Sequence, residues 1–200
     1  MIILGLNGSP NRAGNTAELL RISLQAAQEM GAQTEMLYLQ EIMEIQSKPY
    51  CTACADPCTG ACYRGTELEK VLERMEQIDG LIIASPVYFG TVSAQLKAFW
   101  DKTRRLRRVK SLLNVAGGAI SSGGARFGGQ ETTLKTIHCM MLIQGMLIAG
   151  DCYSEKAPGH YGAGSQSPTA DDSYALKRAV VLGKRVAQVA QSTITLRNSR

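Results

Sequence analysis

The first sixteen residues constrain this chain more than any other stretch. Met1 to Leu6 is a short apolar run of strand type. It passes directly into Asn7-Gly8-Ser9-Pro10-Asn11-Arg12-Ala13-Gly14-Asn15-Thr16 and then into a helical pattern. A strand, a tight polar loop and a helix N-terminus form an anion site, because the first helical turn carries unpaired N–H groups and the positive end of the helix dipole. Ser9, Asn11, Arg12, Asn15 and Thr16 add side-chain donors, while Gly8 and Gly14 permit close backbone approach. The loop reads as a cradle for a terminal phosphate. The pattern G-x-x-x-x-G-K-[ST] is excluded by the spacing from Gly8 to Gly14 and by the missing Lys, and G-x-G-x-x-G is absent here. Glu41, after a second strand, could stand as a ribose-binding acid but carries little weight alone. The plainer alternative is a polar turn in which Ser9 or Asn15 caps the helix.

Apolar positions Leu20, Leu24 and Ala27 keep helical spacing after the loop, and Gly31 stops that helix. Thr34 to Leu39 reads as a second strand, and Gln46 to Gly65 as an irregular stretch holding four cysteines. Leu68, Val71, Leu72 and Met75 restore helical spacing, then Leu81-Ile82-Ile83-Ala84, ended by Ser85-Pro86, predicts a buried parallel strand. Val92, Leu96, Phe99 and Trp100 mark a helix, Leu112 to Ile120 a fourth strand, and Leu134, Ile137, Met141 and Leu142 another helix. Met146 to Ala149 is the last expected strand, and Leu176, Ala179, Val180 and Ala187 line a terminal helix. Five strands alternating with helices predict an α/β doubly wound parallel sheet, order 2-1-3-4-5, with a cysteine-rich insertion after strand 2. The expectation is one domain over residues 1–200, with a cysteine loop at 46–65 and a C-terminal loop and helix at 151–200.

Such a sheet binds ligands beyond the carboxyl ends of its strands, where strand order reverses. The loop after strand 3 is Pro86-Val87-Tyr88-Phe89-Gly90, and the loop after strand 4 runs from Ser121 through Ser122, Gly123, Gly124, Phe127 and Gly128 to Gln130 and Glu131. A phosphate cradle, an aromatic ledge and a glycine-rich loop therefore converge on one edge. A flat ring with a phosphate tail fills such a site, and FMN fits that description.

Three segments are similar to signatures of the NAD(P)H-dependent FMN reductase group of flavodoxin-like proteins: Gly8 to Thr16, Ser85 to Gly90 with Val92-Ser93-Ala94-Gln95-Leu96-Lys97, and Gly128-Gly129-Gln130-Glu131-Thr132. The resemblance spans nearly the whole chain. It implies an FMN phosphate on Ser9, Asn11, Asn15 and Thr16, and an isoalloxazine ring against Pro86 to Gly90 with the 123–130 loop nearby. It also implies NAD(P)H as co-substrate and a homodimer or homotetramer.

Cys51-x2-Cys54-x3-Cys58-x3-Cys62 packs four thiols into twelve residues, a spacing that lets one short loop wrap a tetrahedral ion or a cubane. This resembles the compact cysteine motif of iron–sulfur flavoproteins, which implies a [4Fe–4S] cluster on these four residues. The spacing departs from that family, whose middle interval is tighter and last interval longer. Zinc would only staple the loop, and free thiols are the third possibility.

His138 falls on an apolar stripe and is expected in the core; Cys139 and Cys152 are expected to be structural. His160 lies in a long loop after strand 5, suited to covering the flavin, contacting a neighbouring subunit or facing solvent. Arg104-Arg105-Leu106-Arg107-Arg108 is expected to answer a helix C-terminus, with an NADPH phosphate or an acidic redox partner as the alternative. The net charge of +5 is mild and no broad basic face accompanies it, so nucleic acid is not an expected partner. No apolar run approaches the length of a membrane span. The opening strand leaves no room for a signal peptide, so the expected compartment is the cytoplasm, where cysteines stay reduced. Two functions follow: an NAD(P)H-dependent flavin- or quinone-type oxidoreductase, or an electron carrier served by a ferredoxin-type donor. No catalytic side chain is expected, because the flavin carries the chemistry.

Overall fold

A computed structural model describes residues 1–153 and 158–199. Residues 154–157, within the expected C-terminal loop, and residue 200 lie outside the described residues. The elements are β1 Ile2–Asn7, α1 Asn15–Glu29, β2 Gln33–Tyr38, α2 Leu39–Glu44, α3 Glu67–Met75, β3 Gly80–Pro86, α4 Ala94–Asp101 and α5 Arg104–Arg108. They continue with β4 Ala116–Gly123, α6 Gln130–Ile143, β5 Leu147–Ile148, β6 Ala163–Gln166, α7 Ser173–Ser192 and α8 Ile194–Asn198.

All strand pairs are parallel, in the order β2-β1-β3-β4-β5. Side-chain alternation divides the strands between two cores, as a sheet covered on both faces requires. Leu4, Leu6, Leu81 and Ile83 pack with α3, α4 and α6 residues such as Leu68, Leu96, Phe99 and Ile137. Ile3 and Ile82 point the other way and pack with Leu19, Leu20, Leu182 and Val186 of α1 and α7. Those two helices approach so closely that a Cβ on Gly183 would land on the Ser23 carbonyl.

The expected fifth strand is two strands. β5 pairs only at Ala116–Gly117, and β6 takes the same side of β4 further along, Ile120↔Ala163 to Gly123↔Gln166. The chain leaves the edge at Ala149 and returns at Ala163. Ala-Gly-Ser-Gln has no strand-like pattern, and tertiary pairing overrides its weak propensity. The fourth strand starts at Ala116 rather than Leu112. Residues 112–114 form a turn in which Asn114 takes φ 64°, with Leu112 and Val115 buried and Leu113 and Asn114 half-buried. Ser121, Ser122 and Gly123 therefore belong to β4, and Gln130 and Glu131 open α6. The arginine cluster forms α5 itself, with Arg105 paired to Glu76 at 2.6 Å.

Candidate functional site

β1 ends in Asn7, fully buried, whose Oδ1 accepts the Ser9 N–H at 3.0 Å while its Nδ2 has no partner. The loop then folds on itself: Ser9 Oγ accepts the Asn11 N–H at 3.1 Å and Asn11 Oδ1 accepts the Ala13 N–H at 3.1 Å. Its base is clamped to β3 and α4. Gly8 N–H donates to Ala84 O at 2.8 Å, and Ser93 Oγ donates to Gly8 O at 2.5 Å. A Cβ on Gly8 would sit 2.9 Å from Leu96 Cβ, so only glycine fits there.

The predicted phosphate residues divide by surroundings. Ser9 is buried and Asn11 exposed, and Gly14 stands immediately before α1. Asn15 is engaged at both ends of its amide, donating to Ser167 Oγ at 3.0 Å and accepting the Thr169 N–H at 2.8 Å. The Thr16 hydroxyl meets the Ser122 hydroxyl. Arg12 turns away from the loop interior: its guanidinium lies 4.1 Å from the Tyr38 ring centroid and pairs with Glu41, which raises its pKa. Glu41 is thereby an arginine partner.

Val87 N–H donates to Ser122 O at 2.8 Å, which ties the loop after β3 to the end of β4. Tyr88 and Thr91 bridge a tight turn with Phe89 at φ 50° and Gly90 at φ 79°. This turn holds Tyr88 half-exposed and Phe89 wholly in solvent. Across from it Phe127 is equally exposed, on the loop that joins β4 to α6. Gly123 leaves room for Gln130, which braces that loop: its Nε2 donates to Ala125 O at 2.6 Å and Ser165 O at 3.2 Å, and its Oε1 accepts the Gly128 N–H at 3.0 Å. The Cβ-free approach of Gly129 to Gly90 closes the two loops together.

The four cysteines of the insertion line one cavity with Lys48, Tyr63, Lys102 and Arg104. Cys54 is exposed, and Cys51, Cys58 and Cys62 are half-buried. Ala53 N–H points to Cys51 Sγ at 3.4 Å, and the Lys102 Nζ to Cys62 Sγ at 3.7 Å. The Tyr63 phenol is pushed up to about 12, first by burial and next by Cys58. Among the described residues, no three His, Cys, Asp or Glu side chains stand close enough together to hold a single metal ion.

Outside these two places, Cys139 and Cys152 are exposed rather than structural. His138 is half-buried beside Tyr161, its Nε2 without a partner and its pKa lowered by burial. His160 is exposed against Asp151, whose buried carboxylate pairs with Arg178. The sequence assigned no role to Asn7, Ser93, Ser167 or Lys102. Asn7 left a signal as the polar residue closing an apolar strand and Ser93 lies inside a signature segment, while Ser167 and Lys102 left none.

A parallel sheet with this order and these loops at its carboxyl edge defines a flavodoxin-like α/β protein. The chain belongs to the NADPH-dependent FMN reductase family, whose model matches residues 1–157, and is a flavoprotein oxidoreductase. It is 39% identical over 192 residues to an iron-sulfur flavoprotein of Methanocaldococcus jannaschii, covering 96% of this chain and 98% of that one. An iron-sulfur flavoprotein of Methanosarcina thermophila is 33% identical, covering 96% of each chain. An NAD(P)H dehydrogenase (quinone) of Archaeoglobus fulgidus is 30% identical, covering 89% of this chain and 92% of its own. In fold, the chain is similar to a flavodoxin, WrbA-like protein from Agrobacterium tumefaciens, with a TM-score of 0.67 at 17% identity, over 96% and 97% of the two chains. No helix among the described residues is long and apolar enough to cross a membrane.

Proposed function

We propose that this chain holds FMN at the carboxyl edge of its sheet and an iron–sulfur centre on Cys51, Cys54, Cys58 and Cys62, and acts as an NAD(P)H-dependent flavin- or quinone-type oxidoreductase. The observation that carries the flavin half is the convergence of three loops at one edge, tied together through Ser122 to both Thr16 and Val87. A phosphate fits the opening corner: the first turn of α1 offers unpaired amides, and Asn7 keeps a buried donor with nothing to bind. In this reading Ser9, Asn11, Gly14, Asn15 and Thr16 hold the phosphate, with Arg12 at the rim, where its charge is shared with Glu41. Pro86 to Gly90 and Phe127 flank the ring. Ser122, Gly123, Gly124 and Gly128 face its polar edge, with Gln130 bracing the loop behind them.

Bound FMN supplies hydride acceptance coupled to single-electron transfer. The chain's own work is to orient the ring, neutralise the phosphate and shield one face, so no side chain acts as acid or nucleophile. Support for the cluster comes from two relatives called iron-sulfur flavoproteins and from four soft donors around one cavity. A cubane is larger than one ion, so its ligands stand farther apart than those of zinc.

A carrier function served by a ferredoxin-type protein is favoured by one observation. The cavity opens beside α5, where Arg107 and Arg108 are exposed and Arg104 lines the wall, a surface complementary to an acidic redox partner. Anaerobic purification with an ultraviolet–visible spectrum, iron and sulfide analysis, and reduction by NADH, NADPH or ferredoxin separates the two. Catalytic flavin bleaching by a nicotinamide supports the enzyme; reduction by ferredoxin alone supports the carrier; protein that stays colourless with excess FMN sinks both. A reducing, cytoplasmic setting agrees with six free cysteines. A homodimer or homotetramer agrees with exposed Leu142 and Ile143 on α6, and sedimentation measures it.

A further inference from the structure

Lys102 is among the largest fully buried side chains of the protein, 2% exposed, at the C-terminal end of α4. Lysine is almost never buried without a partner, because an uncompensated ammonium loses its hydration. Among the described residues no carboxylate stands within ion-pair reach of its Nζ. Its neighbour Asp101, on the same cavity wall, is held by Lys97 at 2.7 Å. The Nζ instead points at Cys62 Sγ, 3.7 Å away. Lys48 and Arg104 add two further cations to a wall that carries one acid, Asp101. The cavity is thus built for an anion. Four thiolates around an iron–sulfur core are net negative, and become more so by one charge on reduction.

We propose that Lys102 is a positioning residue for the cysteine-held iron–sulfur centre: its buried ammonium is the resident counter-charge, orienting the Cys62 sulfur and favouring the reduced, more negative state. This rests on the cluster reading above and goes beyond it by assigning a residue outside the cysteine motif. A fixed positive charge next to the centre stabilises the added electron more than the oxidised state, so its removal lowers the reduction potential. Among the described residues the Lys102 ammonium bonds to Cys62 and to no group of the three flavin-edge loops, so the flavin potential serves as the internal control.

The test uses the full-length chain reconstituted anaerobically with iron, sulfide and FMN, as wild type, Lys102→Gln, Lys102→Met and Lys102→Arg. Iron and acid-labile sulfide are counted, and the cluster is titrated reductively under electron paramagnetic resonance. In Lys102→Gln and Lys102→Met the reduction equilibrium shifts at least tenfold toward the oxidised form, about 59 mV for one electron. Lys102→Arg, which keeps the charge, stays near wild type, and the flavin potential does not move. A second readout needs no cluster: Lys102→Met raises the thermal midpoint of the metal-free protein, because it fills the space without a stranded charge. Wild type loading a full cluster while Lys102→Met matches its potential overturns this proposal alone. Wild type that takes up no iron overturns the cluster reading and this proposal with it. If Lys102→Gln does not fold, Lys102→Met decides, and a lowered metal-free midpoint with an unchanged potential marks Lys102 as a packing residue only.

Discussion

The Thr16 hydroxyl stands 2.6 Å from the Ser122 hydroxyl, joining the first turn of α1 to the end of β4 across 106 residues of sequence. Both are buried, so each is the other's means of satisfaction. Thr16→Val or Ser122→Ala alone leaves one hydroxyl stranded and costs about 1–3 kcal/mol in urea unfolding. The double variant costs less than the sum, because nothing is left unpaired. Each single change also weakens FMN binding, read by flavin fluorescence. Strict additivity would show that the two hydroxyls are not coupled.

Phe89 combines full exposure with a left-handed backbone at φ 50°. Its side chain buries nothing in the fold, while its backbone strain costs about 1–3 kcal/mol. Phe89→Asn, a residue tolerant of this conformation, therefore raises the melting temperature. The same change loosens FMN, since the aromatic shelf is gone. A variant that loses stability and binds flavin normally contradicts the role given to this turn.

Gly183 marks the crossing of α7 over α1. An added methyl would occupy the space of the Ser23 carbonyl, a backbone atom that cannot step aside. Gly183→Ala should therefore cost about 3 kcal/mol, at the upper end of overpacking effects. The site lies on the α1–α7 face, away from the cysteines. Calorimetry on the cluster-free chain measures it, and a shift within about 1 °C would mean the helices slide apart freely.

Burial holds the pKa of His138 below its ordinary 6.5, outweighing the Tyr161 backbone group that raises it. Between the folded value and 6.5 the unfolded chain binds more protons than the folded one, so stability rises with pH through that window. Acidification from above 6.5 therefore removes stability, fully by the time pH falls below the folded value. His138→Gln flattens this part of the curve. Urea unfolding at about pH 7.5 and about pH 5.5 checks it, and equal slopes in the two proteins would refute the assignment.

Much of the fold is legible because its signals are local. The apolar run Leu81–Ala84 could only be a doubly covered strand, and Leu68, Val71, Leu72 and Met75 repeat at one helical face; all eight are buried. β6 was illegible for the opposite reason: Ala163 to Gln166 lacks any pattern and is a strand only because β4 has an unpaired length beside it. Arg12 and Gln130 show the same limit within the site. Their residue types suit a cofactor, yet Glu41 and the 125–128 backbone claim their polar atoms first.

The amino-acid sequence alone determined the order of strands and helices, the three loops that meet at the sheet edge and the cysteine spacing. These depend on hydrophobic period and turn chemistry, which act over a few residues. Only the tertiary structure decided that β4 carries two successive partners, that Thr16 answers Ser122, and that Lys102 comes to rest against Cys62. Each of those joins residues more than 30 positions apart. Such pairings are set by which surfaces remain to be buried once the local elements have formed, and no short window of sequence contains that information.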